Sequence, residues 1–236
     1  VLNGVKLFIT NGNEAEIIVV FATIDKSLRH RGITGFIVEK GTPGFSVGKL
    51  EHKLGIRATS SAELIFQDCF VPEANRLGKA GEGFKIAMEA IDSSRLSVGA
   101  QAVGIAQGAF DKCLAYAQER RQFGQPIINF QAIQWMLADM ATQIDAARLL
   151  TYRAAYLESQ GLPFVKEASM AKVFASEAAM FVTTKAIQIY GGYGYIKDYP
   201  LERYFRDARI TGIYEGTDEM QRLTIARSII REGSSL

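Results

Sequence analysis

The hydrophobic period changes once along the chain, and that change limits the fold to a strand-built part followed by a helix-built part. Up to about residue 78, apolar residues come in short runs bounded by turn formers. Val5-Lys6-Leu7-Phe8-Ile9-Thr10 ends at Asn11-Gly12-Asn13, and Ile17-Ile18-Val19-Val20-Phe21-Ala22 is a continuous apolar run of strand length. Such a run reads as a strand covered on both faces. Further strands are expected over 33–40, 45–50 and 63–71, separated by Gly41-Thr42-Pro43-Gly44 and Lys53-Leu54-Gly55. This spacing predicts an antiparallel β-sandwich or small β-barrel. Five strands are few for a closed structure, so a partial one is expected over 1–78.

From about residue 79 the period is helical. Ile133, Met136, Leu137, Met140, Ile144 and Ala147 line one helix face. Helices are expected over 83–121, 130–160, 164–189 and 217–231. Asn129 is placed to cap the second, and Thr217 with Asp218 the last. Gly161-Leu162-Pro163 separates the second from the third, and Gly191-Gly192 stops the third. Long helices joined by short loops predict an up-down four-helix bundle over 79–236. The fold class is therefore α+β with two domains, their boundary in the polar, Gly-rich stretch 72–83.

Composition excludes several functions. The 236 residues carry a net charge of +2, which gives no general affinity for nucleic acid. Cys69 and Cys113 form no CxxC pair, so a reducing compartment is expected, and His30 with His52 offers too little for a His-rich metal site. No apolar run reaches the ~20 residues of a membrane span. The chain opens Val1-Leu2-Asn3-Gly4 without Met, which points to a start further upstream. Gly44-Phe45-Ser46-Val47-Gly48-Lys49 is one residue short of a P-loop, and Gly191-Gly192-Tyr193-Gly194 follows a helix and does not fit a Rossmann fingerprint.

Three segments of the helical half carry chemistry. Glu119-Arg120-Arg121-Gln122-Phe123-Gly124-Gln125-Pro126 runs a basic helix end into a turn, either a dipole-matched terminus or an anion site. Gln188-Ile189-Tyr190-Gly191-Gly192-Tyr193-Gly194-Tyr195 sets three glycines among aromatics. This is either a packed helix stop or a place where a flat or phosphorylated ligand approaches the backbone. Ile213-Tyr214-Glu215-Gly216-Thr217-Asp218-Glu219-Met220-Gln221 puts an acidic residue in an apolar, Gly-flanked turn before a helix. That Glu is either a solvated turn residue or a catalytic carboxylate.

In order, spacing and residue type the three together resemble the acyl-CoA dehydrogenase family. Gln188, Gly191, Gly192, Gly194, Tyr195, Asp198, Arg203 and Asp207 match a family signature, and the Glu215 segment is similar to its catalytic loop. Arg120-x-x-Phe123-Gly124 resembles the flavin pyrophosphate motif, and Phe8-Ile9-Thr10-Asn11 the family's Trp-Ile-Thr/Ser segment, with Phe in place of Trp. Tyr199-Pro200 and the run from Lys166 to Lys172 suit short-chain or short/branched-chain members. The family has an N-terminal helical domain and further strands ahead of the point where this sequence starts.

The resemblance implies a FAD-dependent oxidation of a short or branched acyl-CoA to the trans-2-enoyl-CoA. Glu215 would take the α-proton while the β-hydride passes to flavin N5. A thioester α-carbon is a weak acid, so the base has to be aimed and shielded from water. The Glu215 N–H and a flavin ribityl hydroxyl would hold the thioester oxygen. Phe8, Ile9 and Thr10 would flank the flavin ring. Arg120 would pair with its pyrophosphate. Phe123, Gln131, Gln188, Ile189, Tyr190, Gly191 and Gly192 would surround the AMP half, and Thr217, Asp218 and Glu219 would offer a helix N-terminus. Asp92, Ser93, Ser94 and Arg95 would meet the CoA end, Phe84 the acyl chain, and Gly216 would leave room for the thioester. An Asp and Arg so spaced on a helix otherwise read as a surface pair. Further implications are a homo-oligomer, a tetramer, in which Arg120 and the Gln188 region serve a neighbour's flavin, and an electron-transfer flavoprotein as partner. The compartment would be the mitochondrial matrix or the bacterial cytoplasm. Left open are an acyl-CoA oxidase reoxidised by dioxygen and a catalytically silent fragment acting in assembly.

Overall fold

A computed structural model describes residues 1–233. The chain divides into two compact units, Val1–Ile91 and Asp92–Leu236, the first built on small antiparallel sheets and the second a helical bundle.

In the first unit β1 (Leu2–Thr10), β5 (Ser61–Cys69) and β4 (Phe45–Leu50) form one three-stranded sheet in the order β1-β5-β4. The second is β2-β3-β6, from Ile17–Thr23, Ile33–Glu39 and Arg76–Leu77. No barrel closes among the described residues. Leu2, Ile18, Val20, Val38, Leu64 and Phe66 from both sheets share one core. The run over 17–22 is covered on one face, contrary to the expectation of two: Ile18 and Val20 point inward, while Ile17 and Val19 are 65% and 49% exposed. Side chains alternate along a strand, and this unit supplies a layer on one side only.

Two local features position candidate residues here. Between Lys6 and Ile9 the register of β1 against β5 shifts, and Phe8 takes a φ of +57°. A β-bulge of this kind takes a side chain out of strand alternation. Helix α1 (Gly83–Glu119) starts on a glycine because a Cβ at Gly83 would lie 2.7 Å from the backbone of Thr34 and Gly35.

The second unit contains most of α1 with α2 (Gln131–Ser159), α3 (Val165–Tyr190), α4 (Leu201–Ala208) and α5 (Asp218–Glu232). The four long helices lie where the period placed them; α4 is additional. Small residues set the packing: Ala102, Ala106, Ala109 and Cys113 of α1 meet Met140 and Ile144 of α2 and Ala175, Ala179 and Ala186 of α3. Small side chains let helix axes come close. Asn129 does not cap α2; it lies in a 3-10 turn, and Phe130 takes the cap position without a side-chain bond. Cys69 and Cys113 are buried and free, and burial pushes the Cys113 thiol up to about 12. No helix among the described residues is long and apolar enough to cross a membrane.

Candidate functional site

The Glu215 loop joins a 3-10 turn (Arg209–Gly212) to the start of α5. Glu215 is half-buried and holds a φ of +53°, a conformation that costs a non-glycine residue about 1–3 kcal/mol. Its carboxylate accepts a hydrogen bond from the Ser94 hydroxyl of α1 at 2.7 Å. Its N–H donates to no acceptor among the described residues. Beside it the Tyr214 hydroxyl donates to Gln101 of α1. Burial pushes the Tyr214 phenol up; the Gln101 bond opposes that, and the Glu215 charge adds to it. A carboxylate so placed has one neighbouring donor, a partly dry setting and a fixed backbone.

The loop is tied on its far side. The Thr217 side chain accepts from the Met220 N–H at 3.4 Å, capping α5 as the sequence suggested. The Asp218 carboxylate, expected to help cap α5, turns inward instead. Its Oδ1 accepts from Lys172 Nζ at 2.9 Å, and the Ser176 hydroxyl lies 3.0 Å from both oxygens. Lys172 is fully buried, so its ammonium needs a counter-charge there. Glu219 stays exposed, its carboxyl held below the usual range by its own backbone N–H and then by the Thr217 hydroxyl. Gln221 is fully buried, and its Nε2 donates to the Glu215 and Gly216 carbonyls at 3.0 Å each. Neither Lys172 nor Gln221 was among the expected site residues. The one signal for Gln221 is a long polar side chain on the inward face of α5's first turns.

Asp92 and Arg95 pair with Arg95 buried and Asp92 half-buried, where the plain helix reading gave a surface pair. Arg95 Nη1 donates to Asp92 Oδ1 at 2.6 Å, and burial pushes the Asp92 carboxyl up against the pull of the guanidinium. Arg95 Nε is buried without a partner among the described residues. Ser93 is exposed and Ser94 faces Glu215.

The other two segments meet at the opposite end of α1. Ser94 and Glu119 are separated along that helix by about 38 Å at 1.5 Å per residue. Past Glu119, Arg121-Gln122 and Gln125-Pro126 pair as a two-residue hairpin whose turn residues, Phe123 and Gly124, have φ of +51° and +81°. Positive φ at both positions is the I′ turn that suits a tight hairpin. Phe123, at the tip, is 91% exposed and edge-on to Phe130. The Arg120 guanidinium lies over the Tyr193 ring, 5.6 Å from its centroid. Beneath it Tyr190 stacks on Tyr116 with centroids 4.0 Å apart.

Within this group the side chains of Ile189 and Tyr190 are core, so only their main chain can meet a ligand. The Tyr190 hydroxyl donates to the Lys112 carbonyl at 3.1 Å, and burial pushes its phenol up to about 12. Gln188 and Gln131 are exposed. The three glycines divide by purpose. Gly194 is held by packing, since a Cβ there would lie 2.7 Å from the Ile187 carbonyl oxygen. Gly191 meets the need for a φ of +59° at the end of α3. At Gly192 a Cβ would touch nothing within 4 Å among the described residues, so nothing in them requires a glycine. An exposed guanidinium beside bare backbone and flat rings fits a dinucleotide's phosphates and adenine.

In the first unit, Phe8 is 71% exposed on its bulge and Thr10 is exposed, while Ile9 packs on the core. Phe84 lies beside His30, ring centroids 5.5 Å apart.

Comparison with known proteins matches both halves. Residues 1–69 match the model of the acyl-CoA dehydrogenase middle domain, and residues 81–230 that of the acyl-CoA dehydrogenase C-terminal domain. Acryloyl-CoA reductase (NADH) of Anaerotignum propionicum is 58% identical over 98% of this chain and 59% of its own. The structure of butyryl-CoA dehydrogenase from Megasphaera elsdenii superposes with a TM-score of 0.96 at 52% identity, over 97% of this chain and 60% of that one. A chain in the structure of the electron transferring flavoprotein of Acidaminococcus fermentans gives 0.96 at 57% identity, over 97% and 60%. This sequence thus spans about three fifths of the relatives it matches. With both domain models matched in order, the chain belongs to the acyl-CoA dehydrogenase family.

Proposed function

We propose that the protein containing this chain oxidises a short or branched acyl-CoA to the trans-2-enoyl-CoA, with Glu215 as the base that removes the α-proton. The observation that carries this reading is the half-buried Glu215 carboxylate, held by Ser94 on a backbone of positive φ. A positioned general base contributes about 10²- to 10⁴-fold. The free Glu215 N–H suits the thioester oxygen, on which negative charge builds as the proton leaves. Gly216 leaves the approach to that oxygen without a side chain. Asp92 and Arg95 serve the CoA end as a fixed pair, with Ser93 beside them. Phe84 lines the acyl chain.

FAD, when bound, accepts the β-hydride at N5. Phe8 and Thr10 serve its ring by side chain and Ile9 by backbone, while the exposed group of Arg120, Phe123, Gln131, Gln188 and Gly192 serves its pyrophosphate and adenine. The length of α1 keeps that group from the flavin served by Glu215 of the same chain, because an extended dinucleotide does not reach so far. Each flavin is therefore shared by two copies in a homo-oligomer. An electron-transfer flavoprotein is the partner that reoxidises it. A second reading, reduction of an enoyl-CoA, is favoured by the 58% identity to acryloyl-CoA reductase; it runs through the same groups, with the Glu215 carboxyl returning the proton.

The test is the visible spectrum of the full-length protein titrated with straight and 2-methyl acyl-CoAs. Bleaching is expected in the wild type, with Glu215→Gln keeping the flavin colour but not bleaching. Normal bleaching by that variant removes Glu215 as the base. Peroxide release in air places the protein among oxidases.

A further inference from the structure

We infer that Gln221 is a positioning residue for Glu215, a buried two-carbonyl clamp that holds the loop in its left-handed backbone conformation. This rests on the reading of Glu215 as the base. A non-glycine residue keeps such a φ only where its surroundings over-determine it. Here the Gln221 amide supplies that constraint. Its Nε2 donates to two consecutive carbonyls, Glu215 O and Gly216 O, both at 3.0 Å. Two bonds from one nitrogen to adjacent peptide units fix the turn between them.

Three further observations point the same way. Gln221 is fully buried at the start of α5, whose N-terminus is itself anchored through Asp218 to Lys172 and Ser176, so the donor sits on a fixed platform. A Cβ on Gly216 would lie 2.6 Å from Gln221 Nε2, so the glycine leaves the space that the amide fills. Gln221 Oε1 is buried with no hydrogen-bond partner among the described residues. A buried carbonyl left unsatisfied is unfavourable. The opposite amide orientation would set that oxygen against two carbonyl oxygens and lose both bonds. The amide is therefore held for what its nitrogen does.

The clamp acts on the backbone, whereas Ser94 acts on the carboxylate, so the two are separable. Gln221→Met keeps the length and volume and removes the donor. In the full-length holoenzyme, deuterium exchange of the Ile213 and Tyr214 amides, which both donate to the Ile210 carbonyl, is expected to rise about tenfold or more, with α3 unchanged. The kcat is expected to fall about 10²-fold with KM within about twofold, as a misplaced base affects the chemical step rather than binding. Ser94→Ala is the control, and its loop exchange is expected to stay at the wild-type rate. Wild-type exchange in a folded Gln221→Met protein overturns the clamp, and so does faster exchange with undiminished kcat. If Gln221→Met does not fold, the side-chain amide protons of Gln221 in the wild type decide by NMR. Slow exchange with water supports the clamp and rapid exchange overturns it. Exchange needs neither flavin nor acyl-CoA turnover, so an inactive wild type with a loosened variant loop sinks the proposed function and leaves the clamp standing.

Discussion

The two ends of α1 contrast in how their polar groups are satisfied. At the Glu215 end every tie comes from the chain itself: Ser94 to the carboxylate, Gln221 to the loop carbonyls, Lys172 and Ser176 to Asp218. At the Arg120 end the core is closed by stacked tyrosines, but the surface is left open: Phe123 stands out from its hairpin, and a Cβ on Gly192 would meet none of the described residues within 4 Å. A group that does chemistry has to be held before its substrate arrives, whereas a group that receives a ligand has to stay accessible until it does. The contrast is that of a reacting end and a receiving end, which under the proposed function serve different flavins.

The largest effect expected from breaking this contrast is in activity. Arg120→Ala and Glu215→Gln each impair a different end. If the ends of one chain serve different flavins, co-assembled copies of the two variants regain about a quarter of wild-type turnover, since half the sites in each mixed pair carry neither change. Each variant alone stays near background. No recovery on mixing, measured as acyl-CoA-dependent dye reduction, places both groups on one flavin. Next in size is stability at the reacting end. Lys172→Met leaves Asp218 without its buried counter-charge and is expected to cost about 3–5 kcal/mol in urea unfolding. Adding Asp218→Asn is expected to recover a part of that loss. A cost below ~1 kcal/mol for Lys172→Met removes the pair as an anchor of the loop.

How much of this was legible in the sequence follows from the range of the interactions. The four long helices were, because a 3.6-residue period over 15 residues or more is a local property, and so was the Thr217 cap. The strand at 17–22 was legible in position but not in burial, since a run of apolar residues does not say how many layers lie on it. Glu215 stood out through its neighbours, Tyr214 and Gly216. Its bond to Ser94 spans 121 positions, and the Gln221 and Lys172 ties depend on which way α5 and α3 face, so no spacing announces them. The inward turn of the Asp218 carboxylate was not legible for the same reason: a carboxylate in a helix's first turn fits a cap equally well. For the glycines at 191, 192 and 194 the sequence offered two readings of the segment as a whole, a packed helix stop or a ligand approach, and the structure separates them residue by residue.

Those glycines sharpen the receiving end. Gly194→Ala forces a methyl against the Ile187 carbonyl oxygen and the Tyr190 side chain and is expected to cost about 1–3 kcal/mol. Gly192→Ala meets open space and is expected to change stability by less than ~0.5 kcal/mol. Flavin retention is expected to reverse that order, with Gly192→Ala losing the cofactor on gel filtration and Gly194→Ala keeping it wherever it folds. Full flavin retention by Gly192→Ala takes that backbone out of the cofactor site.

The smallest expected effect separates the floor of the receiving end from its surface. Tyr190→Phe removes one hydrogen bond, to the Lys112 carbonyl, and keeps the stack on Tyr116, so a loss of about 1 kcal/mol is expected. Burial, more than any neighbouring charge, pushes this phenol up to about 12, against about 10 for a tyrosine in water. A group whose affinity for its proton is raised by folding contributes its full stability below its unfolded value and loses it as pH rises through its folded one. The difference between wild type and Tyr190→Phe in urea unfolding is therefore expected to be flat below pH ~10, to shrink above it and to reverse sign before 12, since two pKa units are worth about 2.7 kcal/mol. Flavin binding is expected to be unchanged, because the hydroxyl faces α1 and not the Arg120 surface. A difference that titrates well below pH 10, or a flavin lost with the hydroxyl, means that Tyr190 belongs to the open surface and not to the floor beneath it.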